Sequence, residues 1–255
     1  DITVGRALAK NTILMLDILN NFNWERPIYF TGGSNTDSEY IWLKDYLQLD
    51  GVAFKLVPIK TPTKTYNQKG ELQRELSLFD IGRIDTEKMY TNVKKWDWRN
   101  INDGEIYLDE QTKRNAISLR NSLMRLSDAF AKEGDTLKAI EVLDLSLDKL
   151  PIEKFDHYSL SLEYPKMYFN LGENDKAKQV ADTLVRLLTE KLIWLSTFNK
   201  TDSDLVFDEI DTSLYMFKNL IDQVERGSKD KAYVSKIQTK FMDTVKLFEY
   251  LIGDE

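Results

Sequence analysis

The chain of 255 residues has no cysteine and a single histidine, His157. The first absence excludes disulfides and thiolate metal sites. It leaves the compartment open, because a cysteine-free chain survives in reducing and oxidising surroundings alike. The second absence means that a serine–histidine triad could run only through His157, which follows a helix stop in an expected inter-helix loop and is assigned no catalytic role. A basic excess is also missing. The 35 Lys and Arg stand against 42 Asp and Glu, a net charge of −7, which argues against a general nucleic-acid binder. No apolar run approaches the ~18 residues that a membrane span needs, and no signal peptide is visible. The chain starts at Asp1 rather than methionine. It reads as an excised or processed piece of a longer protein, so missing targeting signals say nothing of the parent. Nor is there a phosphate-binding fingerprint. Gly32-Gly33 lacks both G-x-G-x-x-G and a following Gly-Lys-Ser/Thr, and is read as a turn.

What the chain does have is a recurring helix pair. In the stretch from Asn115 to Pro151, Ile117, Leu119, Leu123, Leu126 and Phe130 recur at helical spacing. Ile140, Leu143, Leu147 and Leu150 do so after a turn at Gly134-Asp135, and Pro151 stops the second helix. The pair resembles a tetratricopeptide repeat, with Ala139 where the second helix crosses the first and Ser127 at the usual glycine. Gly134 followed by Lys138-Ala139 is echoed by Gly172 with Lys176-Ala177 and by Gly227 with Lys231-Ala232. In each copy glycine is expected to supply a left-handed helix end, and alanine a close crossing. The first two copies stand slightly further apart than the usual ~34 residues. The third is further still, and acidic Lys200 to Asp211 is read as an insertion before it. The copies lie near 115–151, 157–190 and 211–252.

Ahead of the repeats, Val4 to Phe22 is expected to be helical, with Leu8, Ile13, Leu16 and Leu19 buried. Ile28-Tyr29-Phe30 and Val52 to Val57 read as strands and Tyr40 to Leu49 as the helix between them, a small βαβ-like unit with its strands parallel. Lys60 to Glu75 reads as an exposed loop, Asp85 to Lys95 as a short helix, and Ile101 to Leu108 as extended. The expected class is therefore α+β and mostly α. A small αβ unit over residues 1–108 would be packed on a tetratricopeptide-like helical stack over residues 109–255.

Two groups of residues qualify as candidate sites. Repeat alignment places Asn121, Met124, Asp128 and Lys132 on the inner face of copy one, and Ser159, Leu162, Lys166 and Asn170 on that of copy two. This mixed polar groove suits an extended peptide or protein loop. It does not reproduce the lysine- and asparagine-rich clamp that some repeats use for C-terminal carboxylates. In the second group Asp97, Asp103, Asp109 and Glu110 accompany Trp96, Trp98 and Tyr107. Carboxylates beside aromatic platforms suit a carbohydrate contact through Trp96, Asp97, Trp98, Asp103 and Tyr107, and paired carboxylates perform glycoside hydrolysis. Aromatic packing, with Asp109 capping the first repeat helix, is preferred over both.

Three stretches carry a family resemblance. Arg26-Pro27-Ile28-Tyr29-Phe30, then Tyr46 to Pro58 (YLQLDGVAFKLVP), then Tyr107-Leu108-Asp109-Glu110 with Arg114 and Leu119-Arg120-Asn121 occur in that order. Together they resemble the soluble C-terminal region of a bacterial domain-of-unknown-function family of multi-pass membrane proteins, grouped with protein O-mannosyltransferase-like glycosyltransferases. The resemblance implies a non-catalytic interaction or scaffold domain outside the membrane, on the periplasmic side. It would use no cofactor and no metal, and its partner would be a protein, a peptide or the parent's own membrane half. The alternatives are a free-standing tetratricopeptide adaptor and, third, a soluble carbohydrate-active hydrolase.

Overall fold

The computed structural model describes residues 9–31, 41–67, 69–76, 80–198 and 203–249. The class is α+β and mostly α: a small sheet comes first and a stack of helices follows. The chain divides into two compact units, one of residues 1–98 with 121–129, the other of residues 99–120 with 130–255.

In the first unit, helix α1 (Lys10–Asn20) precedes strands β1 (Tyr29–Thr31), β2 (Leu47–Asp50), β3 (Ala53–Leu56), β4 (Lys64–Tyr66), β5 (Leu72–Glu75) and β6 (Arg83–Ile84), and helix α2 (Thr86–Val93) follows. Four strands form one sheet in the order β1-β3-β2-β6. Directly paired residues share a face, so the register sorts the side chains. Phe30, Phe54, Leu49 and Ile84 make an apolar row across all four strands, and Tyr29, Lys55, Gln48 and Arg83 make a polar row on the opposite face. The apolar side packs with Leu47 and Ile81, both buried, and with Met15 of α1, Leu43 and Leu76.

This topology corrects the expected βαβ unit. β1 and β3 run antiparallel. The stretch read as a helix is a 3-10 segment, Ile41–Tyr46, that gives way to β2. Asp50-Gly51 does not close a helix: Asp50 ends β2 paired with Ala53, and Gly51-Val52 is the two-residue loop of a β2–β3 hairpin, with Gly51 at φ 84°. Glycine with positive φ at the first loop position suits a tight hairpin turn. Three other expectations are corrected. The stretch from Lys60 to Glu75 is not a plain loop, because β4 and β5 form a hairpin within it. Ile101 to Leu108 is a run of turns rather than extended chain. Helix α1 has no buried residue; Ile13 is exposed and Leu16 and Leu19 are half-buried, while Leu8 and the Gly32-Gly33 turn fall outside the described residues.

The second unit is built from helices. Helix α3 (Glu110–Glu133), whose residues 121–129 belong to the first unit, precedes α4 (Thr136–Lys149), α5 (Ile152–Phe155), α6 (Tyr158–Ser161), α7 (Glu163–Asn170), α8 (Asn174–Leu195), α9 (Ser203–Gly227) and α10 (Lys231–Val245). α7 touches α8 and α9, and α8 and α9 both touch α10, so each helix pair leans on the next. The expected insertion from Lys200 to Asp211 is instead, from Ser203 onward, the start of the 25-residue α9. Its acidic exposed positions hid an apolar stripe, which emerges as buried Ile210, Phe217, Leu220, Ile221 and Val224.

Buried Arg120 ties the first helix pair to the second. Its guanidinium, fully buried, donates to the Leu150 carbonyl (2.5 Å) and to Ser161 Oγ, and lies 5.8 Å from the centre of the Tyr164 ring. Burial lowers its pKa from the ordinary value. Tyr164 shares a 2.5 Å hydrogen bond with Ser146 of α4, and desolvation pushes its pKa up to about 12. Tyr168 donates to Asp144 (2.8 Å), whose other oxygen meets Lys176 (2.7 Å).

The three echoed glycine–alanine pairs are not equivalent. Gly134 and Gly172 adopt φ 86° and 83° after α3 and α7, and Ala139 and Ala177 are fully buried. The third copy departs from this expectation: Gly227 is the last residue of α9 without a positive φ, and Ala232 is exposed. Gly227 is small because Phe169 comes close. A Cβ there would stand 2.5 Å from Phe169 Cγ and 2.8 Å from its Cβ, atoms too near the backbone to swing aside. Gly227→Ala is therefore expected to cost ~1–3 kcal/mol by overpacking. In a denaturant double-mutant cycle part of that cost should disappear in the background of Phe169→Ala, which removes the ring and leaves only Cβ, whereas additive losses would place the effect elsewhere.

Candidate functional site

Helices α7 and α9 leave a cleft of about 310 Å³ between them. Phe169 and Gly227 meet at one end of it. Glu163, Lys166 and Asn170 line it from α7, and Asn219, Gln223 and Arg226 from α9. These positions recur every three or four residues, so each set lies on one face of its helix. The stripes that bury Tyr164, Tyr168, Leu220 and Val224 leave those faces outward. Lys166 pairs with Glu163 at 2.8 Å, an exposed i,i+3 contact that holds position more than it stabilises. Gln223 Nε2 donates to Asn219 Oδ1 at 3.1 Å, and among the described residues Gln223 Oε1 is buried without a hydrogen-bond partner. An acceptor so placed is costly unless a donor reaches it. Three amides, two cations and one carboxylate can bind a polar chain. They include no nucleophile–base pair, and among the described residues no cluster of His, Asp and Glu is arranged to hold a metal ion.

Of the expected groove residues, the structure brings Lys166 and Asn170 together in this cleft. Met124 and Leu162 are buried at 6% and 3% exposure and serve packing instead. Asn121 and Asp128 belong to the first unit with Met124, and Lys132 is an exposed residue of α3 in the second. Ser159 lines a separate cavity of about 450 Å³ with Asp156, His157, Tyr158, Lys191, Thr212 and Met216. His157 Nε2 lies 2.6 Å from the Lys113 carbonyl, which can only accept, so that nitrogen carries the proton and the ring ties the start of α3 to the α5–α6 turn. The α9 half of the cleft is missing from the sequence reading, because inner faces follow from repeat alignment only for the first two copies, and the third copy, 211–252, matches the repeat too weakly to assign one. The signal was present in the spacing of Asn219, Gln223 and Arg226, offset from the apolar stripe of the same helix.

The aromatic acidic segment is divided between the two units. Trp96 packs its ring against Gly51, where a Cβ would be 3.2 Å away, and meets Trp98 edge-on at 5.4 Å; both tryptophans and exposed Asp97 belong to the first unit. Asp103 and Tyr107 belong to the second. Asp103 is engaged locally, Oδ1 accepting from the Glu105 amide (3.0 Å) and its carbonyl from Lys154. Tyr107, 86% exposed, borders a cavity of about 330 Å³ with Lys113 and Lys154. Asp109 is the N-cap of α3 and accepts from the amide and the hydroxyl of Thr112, both at 2.9 Å.

The fold is α+β and mostly α, and among the described residues no helix is long and apolar enough to cross a membrane. Residues 1–76 match the family model of TMEM260-associated domain 2, which points to an accessory domain of a membrane glycosyltransferase-like protein. Curated proteins and solved structures yield no match.

The cap at Asp109 is testable. Hydrogen bonds from Thr112 lower its pKa below the ordinary 3.8. A depressed carboxylate stabilises the fold above its unfolded pKa, and that contribution is lost as pH falls through the folded value. Asp109→Asn should therefore lower the thermal midpoint at pH 7, and the gap from the parent chain should close on acidification below the carboxylate range. A gap independent of pH would show that charge at the cap is irrelevant.

Proposed function

We propose that the chain is a non-catalytic interaction domain of a membrane-anchored glycosyltransferase-like protein. In this reading it holds an extended peptide segment, from an acceptor protein or from the parent's own membrane half, in the cleft between α7 and α9. The observation that carries the proposal is the cleft's chemistry. Asn170, Asn219 and Gln223 each offer a donor and an acceptor, the pattern presented by a peptide backbone, and Gln223 Oε1 lacks the donor that a peptide N–H would supply. Lys166 and Arg226 flank these amides and favour acidic side chains in the guest. The stacked helix pairs are compatible with a tetratricopeptide-like description, and the match over residues 1–76 supports the glycosyltransferase-like parent; the reading puts the domain on the extracytoplasmic, periplasmic side of a bacterial membrane. A free-standing adaptor would use the same cleft. Membrane-spanning helices encoded upstream in the same gene favour the first reading, and their absence favours the adaptor.

Panning a random peptide library against the full chain tests the cleft. Enriched peptides should bind with an affinity that falls about tenfold in Gln223→Leu and in Asn219→Ala, roughly 1.4 kcal/mol each. Lys218→Ala, outside the cleft, should leave binding unchanged. Peptides that bind all three variants equally, or a library that yields no enrichment, would sink the proposal.

A further inference from the structure

The polar row of the sheet holds a cluster of cations that the peptide-docking cleft does not involve. Lys55 stands in register between Tyr29 on one side and Gln48 on the other, and Gln48 is in turn paired with Arg83. The Lys55 ammonium lies 5.9 Å from the centre of the Tyr29 ring. Arg83 donates to the Gln48 side-chain carbonyl at 2.7 Å, and Gln48 is only 3% exposed, so the guanidinium is held on this face. α2 supplies a further cation. Asn92 donates to Asp50 Oδ1 at 2.5 Å, which pins that side of α2 to the hairpin turn, and Lys88 stands one helical turn earlier on the same side. The approach of the Lys88 ammonium, with burial second, lowers the pKa of Lys55, while Asp50 acts weakly in the opposite direction.

Asp50 is a carboxylate on this face, and both of its oxygens are engaged: Asn92 reaches Oδ1, and the Tyr29 hydroxyl reaches Oδ2 at 3.0 Å. The Asp85 carboxylate accepts from the backbone amide of Lys88 as the cap of α2. Among the described residues neither the Lys55 nor the Lys88 ammonium has a carboxylate within ion-pair distance. In a chain of net charge −7, Lys55 on the sheet and Lys88 on the side of α2 that Asn92 pins to Asp50 thus share one face, with both Asp50 oxygens engaged by Asn92 and Tyr29. Like charges gathered on one face repel, and an anion between them relieves that repulsion.

We propose that this face is an oxyanion site, which takes a phosphate monoester or pyrophosphate group between Lys55 and Lys88 with Arg83 beside it. A tetrahedral dianion presents several acceptor oxygens at once and can span two point charges, whereas a lone carboxylate engages one of them well. The phosphate could be borne by a soluble compound or by a lipid headgroup, and the two sources are separable by experiment.

Calorimetry of the full chain with pyrophosphate at low ionic strength should give saturable binding that weakens as salt is added. Lys55→Gln and Lys88→Gln should each weaken it about tenfold or more. Lys55→Arg should retain it, and exposed Lys60→Gln should leave it unchanged. In parallel, phosphatidylcholine vesicles with and without phosphatidic acid are sedimented with the chain. Binding only to vesicles that carry phosphatidic acid, lost in Lys55→Gln/Lys88→Gln, identifies a headgroup; binding of free pyrophosphate alone identifies a soluble ligand. Side-chain nitrogen NMR adds a readout that a structural lysine would not move, since pyrophosphate should raise the Lys55 pKa. The proposal is overturned if neither pyrophosphate nor the anionic vesicles bind, or if binding is the same in the glutamine variants.

Discussion

The helical unit depends on one buried cation. Arg120 has its guanidinium withdrawn from water, and its partners there are a carbonyl, a hydroxyl and an aromatic ring rather than a carboxylate. Stripping water from a charge costs several kcal/mol, so the neighbours that repay it must be held in place. The Leu150 carbonyl is the end of α4, where a helix leaves acceptors unpaired. Ser161 closes α6, and Tyr164 opens α7. One side chain thus meets three segments that sequence alone shows as separate, and the direction in which the second helix pair leaves the first follows from satisfying it. The neighbouring Tyr164–Ser146 and Tyr168–Asp144–Lys176 contacts repeat the device.

That constraint bears on the cleft. α7 enters it as the continuation of the segment that Arg120 holds, and α9 is brought against α7 by the contact of Gly227 with Phe169. The polar residues lining the cleft are ordinary helix-surface residues. Their arrangement depends on two close packings, one by a buried charge and one by a missing side chain. The sheet shows the same economy, for alternation puts the phenylalanines on one face and leaves Tyr29, Lys55, Gln48 and Arg83 together on the other.

How much was legible beforehand differs by element. The helix pair around Gly134 reads directly from periodicity and its stop signals, and Asp109 reads as a cap, because both are set by interactions within a few residues. The match over residues 1–76 agrees in part with the family resemblance: it covers the motif stretches at Arg26–Phe30 and Tyr46–Pro58 but not the one that begins at Tyr107. The β2–β3 hairpin was misread, since Leu47-Gln48-Leu49 follows a 3-10 segment and fits the end of a helix as well as a strand. The first turns of α9 read as an insertion because charge on their exposed side masked the stripe on the other. The cleft residues further along α9 were not assigned because the third repeat copy is too weak to align.

By itself the sequence determined the composition of each helix face, the left-handed turns at Gly134 and Gly172, and the caps, all of which are decided by local sterics and hydrogen bonding. Tertiary structure alone decided that Gly227 serves a close approach rather than a left-handed end. It also set β1 antiparallel to β3, drew Met124 and Leu162 inward, and gathered Lys55 and Lys88. Each of these depends on which distant side chain arrives at a given face, and that choice is made by burial summed over the whole unit rather than by the residues beside it in the chain.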